Sequence, residues 1–205
     1  MSVVSLVVTV VLLAGCSVIG GGRPHLAVAG DSITGLAQPT ISAALDPTYD
    51  VDYVYRFGER IDQVVPLLQA DLREHPSTVA VIENLGTNDA VQGGRNSDVQ
   101  ASWYQLLSVT NPVPCVVLTT VSALVDFYGR ADVAEWINQQ IAGLAAADPA
   151  RYEVVDWNGF LRSLHGKRLA TYLRSDSIHE TEAGARWLAA SYGSALARCG
   201  TTGRP

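Results

Sequence analysis

Apolar and polar positions along the chain follow two different periods. Short stretches at 26–29, 78–85, 115–121 and 152–157, largely apolar, and at 49–57, rich in Val and Tyr, have the length and β-branched or aromatic content of strands. Between them, apolar residues recur every three or four positions, as on the buried face of a helix. The stretch 32–45 carries Ile33, Leu36, Ala37, Ile41, Ala44 and Leu45, with Pro39 expected to bend or interrupt it. The stretch 59–75 carries Ile61, Val64, Val65, Leu68 and Leu72 and is closed by Pro76. Further helices are predicted over 98–109, over 131–147, and from a cap at Thr181 to about 198, with one or two turns at 158–164. Strand and helix alternate five times, without an internal repeat or a second-domain linker. This predicts an α/β fold, a three-layer α/β/α sandwich around a five-stranded parallel sheet. The run at 115–121 is the most continuously apolar and is expected to be central; the strand order is left open.

Composition narrows this picture. The chain has 205 residues, 48% hydrophobic and 17% charged, which suits one globular domain rather than a disordered or coiled-coil chain. Net charge is −6 and no Lys/Arg cluster occurs, so nucleic acid is excluded as a partner. The N-terminus departs from the rest. The apolar run 3–13 is too short to span a bilayer but suits a signal-peptide core, although no Lys or Arg precedes it. It runs into Leu13-Ala14-Gly15-Cys16, which resembles the lipobox of bacterial lipoproteins. The expected organisation is a signal peptide at 1–15, lipidation at Cys16, a flexible tether at 16–24, a domain at 25–199 and a tail at 200–205. That implies export and membrane attachment through an N-terminal lipid facing the cell envelope, with a cleaved, secreted form as the alternative.

Of three cysteines, Cys115 and Cys199 then remain as an even pair in a compartment that permits disulfides. Cys115 opens a strand, and Cys199 ends a helix running antiparallel to it, so both reach the same edge of the sheet. A disulfide between them is expected, with two free thiols as the alternative. No Cys-x-x-Cys occurs, and His25, His75 and His165 show no metal-ligand spacing, so no metal is expected.

The candidate chemistry lies where the strands end. Ser32 follows the first strand, Gly58 the second and Asn88 the third, while His179 precedes the last helix. In an open parallel sheet these positions converge on the carboxyl rim, where ligands bind. A hydroxyl, a backbone N–H, an amide and an imidazole on one rim are the parts needed for acyl transfer. Ser32 would be the nucleophile, although a serine here also suits a plain helix cap. His179 would be the base and Asp176, three residues earlier, the acid that orients it. Asp156 is the rival for that last role. The oxyanion would be met by Ser32, Gly58 and Asn88. Asp31 and Asp89 are expected to hold their loops. Trp157, Phe160, Phe127 and Tyr128 are either core or lining of an acyl pocket.

Gly30-Asp31-Ser32-Ile33, Gly58, Gly86-Thr87-Asn88-Asp89 and Asp176-Ser177-Ile178-His179 together resemble the four signature blocks of the SGNH (GDSL-type) hydrolases. The resemblance runs from about residue 26 to about 196 and implies a flavodoxin-like sandwich. It further implies ester hydrolysis through an acyl-serine without metal or cofactor. Its nucleophile corresponds to Ser32, its oxyanion donors to Gly58 and Asn88, and its acid and base to Asp176 and His179. Two positions depart from the pattern: Ile33 replaces the usual leucine, and Ser177 stands where glycine is frequent. The nucleophile elbow Gly-x-Ser-x-Gly is absent, which argues against the α/β-hydrolase fold. The expected function is a serine esterase acting on small acyl esters, of a small molecule, glycan or lipid, outside the cytoplasm. An acyltransferase using the same acyl-serine and a non-catalytic surface-anchored binding module are the alternatives.

Overall fold

The structure, a computed structural model, describes residues 22–93, 95–127 and 129–199. The expected signal segment, Cys16, most of the tether and the tail lie outside the described residues. Strand β1 (His25–Gly30) leads into α1 (Ser32–Leu45), then β2 (Asp50–Tyr55), α2 (Ile61–Glu74) and β3 (Ala80–Asn84). After β3 come α3 (Thr87–Gln92), α4 (Asn96–Thr110), β4 (Val116–Thr119), a 3-10 turn at Ala123–Phe127 and α5 (Ala131–Ala147). The chain finishes with β5 (Tyr152–Val155), α6 (Trp157–Arg162), a 3-10 turn at Gly166–Arg168, α7 (Leu169–Tyr172) and α8 (Glu182–Arg198). Among the described residues no helix is long and apolar enough to cross a membrane.

The five strands form one parallel sheet in the order β2-β1-β3-β4-β5. Their two-residue period sorts the core into two layers. Ala27, Ala29, Val81, Val116 and Leu118 face α2, α4 and α5, where Leu68, Trp103 and Ile137 are fully buried. Leu26, Val28, Ile82, Val117 and Val155 face α1 and α8, where Ile41, Leu188 and Tyr192 are equally buried. Each such aliphatic side chain stabilises the fold by about 1.5–3 kcal/mol through burial. This burial attaches the helices to both faces.

Two sequence expectations are corrected. Pro39 does not interrupt α1, which continues from Ser32 to Leu45. The proline lies on the exposed face, while Ile33, Ala37, Ile41 and Leu45 bury the opposite face and hold the helix through the missing N–H bond. The strand at 115–121 is interior but not the middle strand, which is β3. Its apolar run reflects cover on both faces, a property that every interior strand here shares.

Cys115 and Cys199 form a disulfide with a Cα–Cα distance of 5.8 Å, joining the start of β4 to the end of α8. The sequence separation is 84 residues, and closing a loop of that size restricts the unfolded chain by about 4 to 5 kcal/mol. Reduction, or Cys115→Ala with Cys199→Ala, is expected to lower the melting temperature markedly under calorimetry. An unchanged melting temperature would remove the disulfide from the protein's stability.

Candidate active site

The strand order places a topological switch between β1 and β3, because the chain leaves β1 toward one edge and β3 toward the other. Ser32 follows β1 and Asn88 follows β3, so both flank that crevice. The cap of α1 is Asp31, whose Oδ1 accepts the Ile33 N–H at 2.9 Å. Ser32 is therefore not the cap but the first residue inside the helix, and its N–H has no intrahelical acceptor. Its hydroxyl is 2.8 Å from His179 Nε2.

His179 is held from the far side. Its Nδ1 lies 2.9 Å from Asp176 Oδ2, while Asp176 Oδ1 accepts the N–H groups of Ile178 and His179, both at 2.9 Å. Burial works against the Asp176 charge, but those two N–H bonds and the imidazole outweigh it and hold the carboxyl below its ordinary value. The loop is closed at its base by a bridge between Leu173 and Glu180, with Arg174 N–H donating to His179 O at 2.8 Å. Ser177 takes φ +58°, the one positive φ outside glycine among the described residues. At the position where the resemblance often has glycine, a serine thus adopts the left-handed backbone that glycine adopts freely. Asp156, the rival acid, is elsewhere. It caps α6 through the Gly159 N–H and accepts from Thr120 Oγ1, each at 2.9 Å.

Gly58 has φ +74°, which turns the chain sharply after β2, and its N–H makes no hydrogen bond among the described residues. Gly86, at φ +104°, starts α3, where a Cβ would meet Ile137 and Val121 at under 3 Å. That close approach sets Asn88 on the rim. The Asn88 amide donates to Asp31 Oδ2 at 3.0 Å and to Glu59 O at 3.1 Å. It therefore lies between the neighbour of Ser32 and the neighbour of Gly58, and all three expected oxyanion positions come together. Asp89 accepts the Ile61 N–H at 3.1 Å and so holds the start of α2. Asp31 and Asp89 thus bind backbone, as expected. Trp157 is core, packed against Phe160 and Trp187. Phe127 and Tyr128 lie outside the described side chains.

Two buried acids escaped the sequence analysis, Glu83 on β3 and Glu180 beside His179. Glu83 Oε1 accepts the Leu85 N–H at 2.8 Å, while its Oε2 and that of Glu180 have no partner. Glu83 stands inside an apolar strand (Ala80, Val81, Ile82), and that conflict between pattern and charge was the readable signal.

No protein-family model and no curated protein matches the sequence. Solved structures do match. A lipase/acylhydrolase from Enterococcus faecalis superposes with a TM-score of 0.69 at 14% identity, covering 85% of this chain and 95% of that one. The C-terminal catalytic domain of Streptococcus pneumoniae peptidoglycan O-acetyltransferase A gives 0.66 at 17% identity, over 88% and 96%. An acetylxylan esterase from Geobacillus stearothermophilus, as a catalytic mutant, gives 0.60 at 18% identity, over 88% and 95%. The chain has the fold of the GDSL-type, or SGNH, hydrolases.

The acids beneath the rim make stability depend on pH. Burial pushes Asp31 up to about 7, Asp89 up to about 6, Glu180 up to about 8 and Glu83 well above the carboxylate range. Each binds its proton more tightly folded than unfolded. The folded state therefore carries extra protons between about pH 4 and about pH 8, and stability falls as pH rises through that window. Calorimetric melting temperatures are expected to decline from mildly acidic to mildly alkaline buffer. Glu83→Gln, which keeps an acceptor for Leu85, should flatten the decline. A melting temperature that climbs over the same range would contradict this account.

Proposed function

We propose that the protein is a serine esterase that cleaves small acyl esters through an acyl-serine intermediate. The observation that carries the reading is the continuous relay from Ser32 Oγ to His179 Nε2 to Asp176 Oδ2, at 2.8 and 2.9 Å. In this reading Ser32 Oγ attacks the ester carbonyl and forms the O–C bond while His179 takes its proton. Asp176 fixes the tautomer and stabilises the imidazolium. The carbonyl electron pair becomes an oxyanion, met by the N–H groups of Ser32 and Gly58. Asn88 completes the set by turning to it the hydrogen now given to Glu59 O. Collapse expels the alkoxide, which receives the proton from His179. Water then repeats the sequence on the acyl-serine and restores Ser32.

The same acyl-serine can pass to a sugar or lipid hydroxyl. The likeness to an O-acetyltransferase catalytic domain supports that second reading. Product analysis with a hydroxyl acceptor present separates the two, because transfer yields the acylated acceptor and hydrolysis the free acid. The apolar run before Cys16 supports export and a lipid anchor, and mass spectrometry of the mature N-terminus tests both.

Ser32→Ala is expected to abolish hydrolysis of a chromogenic acetyl ester without altering the circular dichroism spectrum. Wild-type turnover in that variant would end the assignment. Asp176→Asn should reduce kcat by up to about 10⁴-fold, the cost in serine proteases of losing the group that orients the histidine. Asp156→Asn, which only loosens a helix cap, should cost far less. The reverse ranking would transfer the role.

Phe57 is 58% exposed beside Gly58 and packs edge-on against Tyr55. A Cβ on Gly35, in the first turn of α1, would meet the Phe57 ring at 2.5 Å, so the ring lies over the helix that carries Ser32. Phe57→Ala should raise KM for apolar acyl chains more than for acetyl. Equal KM effects across chain lengths would remove Phe57 from substrate contact.

A further inference from the structure

At the opposite end of the sheet, the fold assembles four side chains that are scattered in the sequence. His25 opens β1, Asp52 lies on β2, Asp71 lies on the last turn of α2, and His75 follows that helix. The sequence offered no metal-ligand spacing at His25 or His75, because the spacing arises from three separate elements. One ligand atom from each of the four residues lies within 4.8 Å of all the others. We propose that His25, Asp52, Asp71 and His75 form a binding site for a divalent transition-metal ion, zinc being the best match.

Three observations carry this. The first is distance. His25 Nε2 and His75 Nδ1 lie 3.3 and 3.5 Å from the same Asp52 oxygen, and His75 Nδ1 lies 3.6 Å from Asp71 Oδ1. Tetrahedral zinc bonded at about 2.0–2.1 Å to nitrogen and oxygen has ligand atoms about 3.3 Å apart, close to these three edges; the two imidazoles, stacked 18° from parallel, must turn for both to point at one ion.

The second is the tautomer of His25. Thr78 Oγ1 lies 2.6 Å from His75 O, a carbonyl that can only accept, so the hydroxyl proton is donated there. The same oxygen, 2.8 Å from His25 Nδ1, must then accept from it. Neutral His25 consequently has its lone pair on Nε2, aimed at a carboxylate oxygen. With Nδ1 committed to Thr78, Nε2 is the ring atom left to face the Asp52 oxygen at 3.3 Å, and a proton or a metal ion can hold that pair together. Thr78 thus fixes the ring as an outer partner fixes a metal-bound histidine.

The third is unmet hydrogen bonding. Asp71 Oδ2 and His75 Nδ1 are buried without a hydrogen-bond partner, and the Asp71 side chain is only 10% exposed. Asp52, 51% exposed, leaves an entry path from solvent. Two imidazoles and two carboxylates select zinc and its neighbours over calcium or magnesium, which take all-oxygen sets. A bound ion would clip the edge strand β2 to β1 and to the end of α2.

The test is calorimetric titration of chelator-stripped protein with zinc chloride, followed by melting with and without zinc. The expected result is one equivalent bound and a raised melting temperature. His75→Ala and Asp52→Asn should each abolish the one-to-one event. Asp52 is half exposed, so its variant keeps the question decidable if His75→Ala fails to fold by circular dichroism. Thr78→Val should weaken binding about 10- to 100-fold. His179→Ala should leave binding intact, which separates this site from the catalytic imidazole, and hydrolysis by His75→Ala should match that of the parent. The proposal is overturned if no one-to-one binding occurs, if binding survives both Asp52→Asn and His75→Ala, or if it is lost in His179→Ala. The first of these outcomes would make the cluster a proton-sharing network only.

Discussion

The Asp31 carboxyl group has no contact with solvent, and both of its oxygens are engaged across the switch point of the sheet. One oxygen starts α1 by accepting from Ile33, and the other accepts from the Asn88 amide in the first turn of α3, just past β3. A single carboxyl therefore fixes the direction of the helix that carries Ser32 and the distance from that helix to Asn88. Neither bond reaches substrate. Both decide where the groups that would reach it stand, and a charged or hydrogen-bonded acceptor in a dry setting is well suited to that purpose.

Holding acids there has an energetic cost. Asp31, Asp89, Glu83 and Glu180 cluster below the rim, and burial is the leading cause of the shift at each. The opposite end of the sheet is built differently. The disulfide ties β4 to α8 on one side, and the His/Asp cluster draws β1, β2 and the end of α2 together on the other. Unfavourable burial of acids is thus heaviest at the rim, whereas at the other end Asp71, pushed up to about 6 by burial, shares its end of the sheet with the disulfide. This division suits a protein in which function and stability make opposing demands on the same side chains.

The layers of the fold were legible because strand and helix periods alternate without ambiguity. The site was legible where a residue sits within a few positions of a strand's carboxyl end, as Ser32, Gly58 and Asn88 do. Their positions follow from topology alone. The strand order was not legible, since every interior strand here is buried on both faces. Pro39 misled for a related reason: sequence displays the missing N–H but not the buried face that carries the helix past it. His25 and His75, 50 residues apart, show no metal-ligand spacing in the sequence, whereas their rings stack with centroids 3.9 Å apart. Short-range spacing identifies sites built within one loop. It is blind to sites built between elements.

The loop at 174–179 illustrates both halves of that distinction. Asp176 and His179 are three residues apart, which suffices for the carboxyl to reach the ring, and that was readable. What gives the pair a fixed place is the Leu173–Glu180 bridge, the Arg174 N–H on His179 O, and the Arg174 guanidinium on Glu180 O at 2.8 Å. These are backbone closures with no residue signature. They also explain how Ser177 can stand at φ +58° in place of glycine. The strain of a left-handed serine, about 1–2 kcal/mol, is borne by a loop whose two ends are already tied. The position of the base therefore rests on main-chain hydrogen bonds rather than on the identity of the residue between acid and base.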